Sequence, residues 1–156
     1  MTSQGGVSGT RGTSFRISYF VVRISYLVVR ISSLVKEMNE KIKNFRDLNV
    51  WKKGMEIVEE VYKATQKFPS YELYGLTTQM RRAAISIPSN IAEGFARKHN
   101  KEYKQFLYVV LGSSSELETQ IEISLRLGFI VDEKRDVLLE KIDHANRMTM
   151  NLIKCL

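Results

Sequence analysis

From Leu48 to the C-terminus the apolar positions recur at steps of three and four residues, and before Met38 they do not. Leu48, Trp51, Met55, Val58, Tyr62 and Thr65 have the spacing of one helix face packed in coiled-coil fashion, and Pro69 ends the run. A second run opens near Ser70 and sets Leu76, Met80, Ala83, Ile87, Ile91 and Phe95 on one stripe. A third, with Asn100 as its expected N-cap, turns Phe106, Val110, Leu117, Ile121 and Leu125 inward until Gly128 closes it. A fourth, with Asp132 as its expected cap, carries Leu138, Ile142, Ala145, Thr149 and Leu152. Each run covers roughly 24 residues, on the order of 36 Å at the helical rise. Matched lengths and short connections predict an all-α fold, an up-down-up-down four-helix bundle.

Two stretches break this pattern. FLYVVL, residues 106–111, is apolar on every side of its helix, whereas a lone bundle buries one stripe. GSSSE follows, with small residues at 112–115 that let another backbone come close, so a homo-oligomer is expected. The second break is RISYFVV, RISYLVV, RISSLVK at residues 16–36, which holds Arg16, Arg23 and Arg30 at one phase. Arginine interrupts each apolar run after six residues, far short of the roughly 20 a membrane span needs, so no membrane partner is expected. Its β-branched and aromatic content predicts a sticky strand rather than a helix. A coiled-coil or membrane-surface arm, an aggregation-prone tail and translated upstream DNA are the competing readings. The compositional break before Met38, where MNEKIKNFRDLNVW makes an ordinary start, favours the last. Residues 1–37 are therefore expected to be an extension, untranslated or disordered in the natural protein, and residues 38–156 the helical domain.

The 156 residues suffice for one domain with a core. A lone cysteine, Cys155, excludes an internal disulfide and zinc-ligand spacing and predicts a reducing, cytoplasmic setting. The net charge of +7 is uneven: residues 81–104 carry +4 and residues 116–143 carry −4. Arg81, Arg82, Arg97, Lys98, Lys101 and Lys104 are the candidate phosphate contacts, with Lys52 and Lys53 as contributors. Against that stands a solvated helix face on which Glu93 pairs with Arg97 four residues on. Tyr103 and Tyr108 have two possible roles, stacking on unpaired bases or filling a core or interface, and the second is favoured at this spacing. Enzymatic chemistry finds no support. His99 and His144 have no nucleophile placed beside them, and Glu140 with His144 is not the Glu-x-x-His pattern of a di-metal bundle. No catalytic residue, cofactor or metal is expected.

RRAAISIPSNIAEGFARK, residues 81–98, puts Pro88 inside a helical run. Proline lacks the N–H and crowds the carbonyl of Ala84, which predicts a kink, or a restart with Asn90 as cap and Glu93 three residues on. Together with DLNVWKKGMEIVEEVY, FPSYELYGLTTQM and KEYKQFLYVVLGSSSELETQIEISLRLGFI, the motif resembles the bacterial four-helix-bundle proteins encoded in intervening sequences of 23S ribosomal RNA genes. The likeness runs from about Phe45 to the C-terminus. It implies a ring-like homopentamer with a basic surface suited to nucleic acid. The family is also similar to the accessory protein of diversity-generating retroelements, which partners a reverse transcriptase and binds RNA or DNA. On this resemblance Gln79, Arg81, Arg82, Ser86, Pro88, Asn90 and Glu93 are motif residues serving packing, oligomer contacts or nucleic acid, and none marks an active site. The expected function is non-enzymatic binding of nucleic acid, structured RNA first, by a basic homo-oligomer; the alternative is a protein-interaction scaffold or accessory subunit.

Overall fold

A computed structural model describes residues 21–34 and 42–156. The chain divides into two units, Met1–Ile42 and Lys43–Leu156. In the first, residues 21–34 form a helix, α1, where the composition had predicted a strand. Its side chains are exposed, Val22 and Tyr26 each at 65%, so β-branched content fails to impose a strand where no neighbouring strand supplies hydrogen bonds. The rest of the 16–36 repeat lies outside the described residues.

The second unit is all-α among the described residues. A 3-10 turn, Phe45–Asp47, leads into α2 (Asn49–Thr65), α3 (Leu76–Phe95), α4 (Asn100–Arg126) and α5 (Asp132–Cys155). Cross-helix contacts give the directions. Thr65 meets Arg81 while Gly54 faces Pro88, so α2 and α3 are antiparallel. Met80 meets Ser124 and Ser86 meets Ser113, which reverses α4 against α3. Glu118 with Asn146, and Asn100 with Leu156, reverse α5 against α4; Glu60 with Lys134 and Glu56 with Lys141 close α5 back onto α2.

Ile57, Met80, Ile87, Ile91, Leu107, Leu117, Ile121, Leu138 and Ile142 are fully enclosed between these helices. Three predicted stripes supply most of that core; α2 differs. Its buried residues are Val50, Gly54, Ile57, Val61, Ala64 and Thr65, whereas Met55 and Tyr62 are each 37% exposed. The predicted stripe lies one residue round the helix from the buried one. The face was selected by close approach, not by side-chain size: a Cβ on Gly54 would stand 3.2 Å from the Pro88 ring and 3.3 Å from Ile87.

Three predicted boundaries move for local reasons. Helix α3 runs unbroken through Pro88, so Asn90 caps nothing; its Nδ2 donates instead to the Ser86 carbonyl at 2.8 Å and the Ser86 hydroxyl at 2.9 Å. Asn100 is inside α4, behind the extended His99, and its amide donates to the Leu156 carbonyl at 2.9 Å. Asp132 occupies the first turn of α5 and pairs with Arg135 at 3.0 Å, leaving Val131 at the boundary. The Gly128 stop holds as expected. With φ +73° it donates to the Leu125 carbonyl while Phe129 donates to that of Ser124, the two bonds of a Schellman motif.

Candidate nucleic-acid interface

The antiparallel order gathers three chain segments at one end: the start of α2, the α3–α4 turn and the end of α5. Arg97 and Lys98 lie there in the α3–α4 turn, and Lys101 and Lys104 in the first turns of α4. Lys43, Arg46 and Lys52 reach the same end from the start of α2, and Lys154 reaches it from α5. Among the described residues, the acidic side chains at this end are Asp47, Glu93 and Glu102, so the cations prevail there. Asp47 is already occupied, accepting from the backbone N–H of Lys43 at 3.2 Å and of Asn44 at 3.0 Å. Glu93 pairs with Arg97, whose guanidinium carbon also lies 4.7 Å from the Phe106 ring centre. Lys98, Lys101, Lys104, Lys52 and Lys154 enter no ion pair among the described residues, so their charge faces solvent.

Arg81 and Arg82 stand apart from these four. They are about 15 residues earlier on α3, on the order of 22 Å along its axis. Arg81 is half-buried: its Nε donates to the Thr65 hydroxyl at 2.9 Å, and its guanidinium carbon lies 4.6 Å from the Tyr62 ring centre. That geometry ties α3 to the end of α2. Arg82 is exposed and forms no ion pair among the described residues.

The remaining motif residues divide between packing and surface. Ser86 and Ser113 hydroxyls are 2.8 Å apart, which joins α3 to α4 and, through Asn90, extends into a small polar knot. Pro88 is buried against Gly54. Gln79 and Glu93 are exposed. Gly94, in the same motif, has a sharper role: a Cβ there would stand 2.5 Å from the Tyr103 ring and 2.9 Å from Phe106. Tyr103 is accordingly core, 7% exposed, and burial pushes its phenol up to about 12. Tyr108 is 57% exposed, beside Val109 at 49%. His99 and His144 are both exposed. No helix among the described residues is long and apolar enough to cross a membrane.

Lys43, Arg46 and Lys154 went unrecognised in the sequence because they lie far along the chain from residues 81–104. Only the antiparallel topology brings them beside the α3–α4 turn.

An all-α unit of antiparallel helices, with lysines at one end that form no ion pair among the described residues, defines a helical protein with a basic end. The chain belongs to the family described as 23S rRNA-intervening sequence protein, which matches residues 46–151. Its fold is similar to that of a protein of unknown function in the S23 ribosomal protein family from Bacteroides thetaiotaomicron VPI-5482, with a TM-score of 0.63 and 20% identity over 67% of this chain and 98% of that one. No curated protein matches the chain.

Proposed function

We propose that the Lys43–Leu156 unit is an up-down-up-down four-helix bundle that assembles as a homopentamer and binds structured RNA, without catalysis, through its α3–α4 end. The observation that carries this reading is the convergence of unpaired lysines from three segments on that end, with Lys98, Lys101 and Lys104 at its centre. Lysines free of carboxylate partners are able to exchange condensed counterions for phosphates. Repetition around a ring would make a modest patch multivalent. A cytoplasmic setting accords with the exposed free thiol of Cys155.

Self-association has separate support in the outward stripe of α4. Tyr108, Val109, Gly112 and Ile123 lie on it, Ile85 of α3 is exposed as well, and the exposed apolar members need cover. Arg81 favours a second reading for part of the motif, as a helix-pairing residue rather than a phosphate contact. If the whole surface served proteins instead, the unit would be a scaffold or an accessory subunit, for example of a reverse transcriptase.

Reversal of Lys98 and Lys101 to Glu distinguishes these. RNA affinity should fall at least tenfold, with a shallower salt dependence and an unchanged oligomer. Arg82→Glu should change affinity less, since it stands apart from the basic end. Equal losses from both variants would place the nucleic acid along α3, and no loss from either would leave the scaffold reading.

A further inference from the structure

At the opposite end, a cavity of about 530 Å³ lies between the last turn of α2 and the α4–α5 turn. That is more than ten times the roughly 30 Å³ share of one liquid water and falls in the usual range of small-ligand sites. Lys63, Lys67 and Lys134 line it, together with the apolar wall of Phe129, Ile130 and Val131. None of its lining residues is acidic. Glu60, set behind the lysines, accepts from Lys134 at 2.6 Å and from Lys63 at 3.1 Å, so one carboxylate is shared between two ammonium groups. Lys67 has no ion-pair partner among the described residues. The cavity therefore keeps an excess of positive charge beside an apolar wall.

That wall is preformed. The Schellman bonds of Gly128 and Phe129 fix the turn, Phe129 packs on Phe68 with ring centres 5.2 Å apart, and Ile130 is only 8% exposed. A bare inorganic ion would leave the apolar wall uncovered, and a neutral apolar molecule would leave the lysines unused. We propose that this cavity is a binding site for a small organic anion, a carboxylate or phosphate monoester carried on a flat apolar body. The anion meets Lys67 and the outer faces of Lys63 and Lys134; the body lies along Phe129 and Val131. This site is independent of the RNA-binding end, which lies at the other end of the helices.

The test uses methyl and amide NMR of the full chain titrated with 2-naphthoate, 2-naphthyl phosphate and the neutral 2-naphthol. Shifts centred on Ala64, Ile130 and Val131 are expected with both anions, at dissociation constants at least tenfold lower than for 2-naphthol. The tighter of the two anions identifies the head group. Lys67→Glu, at an exposed position past the end of α2, should weaken both anions at least tenfold and leave 2-naphthol unchanged. Equal binding of the neutral compound, indifference to Lys67→Glu, or shifts centred instead on Ile85 and Val109 would overturn the proposal.

Discussion

Gly94 illustrates how one residue without a side chain can determine a packing arrangement. The α3–α4 contact admits the Tyr103 ring only because nothing projects from position 94, where a methyl would meet it at 2.5 Å. Gly94→Ala should therefore destabilise the unit by about 1–3 kcal/mol, the usual cost of overpacking, despite alanine's better helix propensity. Urea unfolding would measure this; an unchanged or raised midpoint would mean the ring moves aside freely. Periodicity located Met80, Ile87 and Ile91 because large apolar residues announce themselves by spacing. It missed Gly54 and Ala64 because close helix approach is written in absent atoms, and it mistook the α2 stripe for the same reason. The motif arginines were legible as charges, but not Arg81's engagement with Thr65 and Tyr62, which depends on the register between α2 and α3.

Between elements, α2 and α5 are joined by charge as well as by apolar contact. Glu60 bonds Lys134 and Lys63, and Glu56 bonds Lys53 and Lys141; each carboxyl is held below its ordinary value, first by the hydrogen bond from Lys134 and from Lys53 respectively. A carboxyl whose folded pKa is depressed contributes stability above its unfolded value of 4.5, and that contribution disappears as the pH falls through the folded value. The unit should lose stability below pH 4.5. Glu60→Gln should lower the urea midpoint at pH 7 and flatten the acid limb, because the titrating group is gone. Acid limbs of equal steepness in wild type and variant would assign the acid sensitivity elsewhere. The starts of α4 and α5 were readable in the sequence to within a residue, whereas α3 begins at Leu76 rather than near Ser70, which belongs to a separate 3-10 turn, Ser70–Glu72. Asn100 and Asp132 lie one position inside their helices because other partners, Leu156 at the end of α5 and Arg135 three residues on in the same helix, claim side chains that local rules assign to caps.

At the scale of the whole molecule, the proposed function needs a basic surface at one end and a second copy over the apolar stripe of α4. Gly112 tests the stripe. No atom lies within 4 Å of a Cβ built there, so within one chain Gly112→Ala costs nothing and gains up to about 1 kcal/mol of helix propensity. If copies approach closely at GSSSE, the same methyl dissociates the oligomer. Light scattering should find a smaller assembly whose protomer remains folded; an intact assembly would move the interface off this stripe. The sequence showed an excess of positive charge and a face in need of cover, but not which lysines meet. That assignment requires the antiparallel order, which sets Lys43 and Lys154 beside Lys98.

The central claim is that this end engages phosphates. Fluorescence anisotropy of a labelled structured RNA with the full chain, repeated across a salt series, tests it most directly. Log affinity should fall linearly with log salt, by roughly 0.7–0.9 per phosphate neutralised, with a slope that corresponds to several phosphates. No binding at the lowest salt, or an affinity indifferent to salt, would contradict the account.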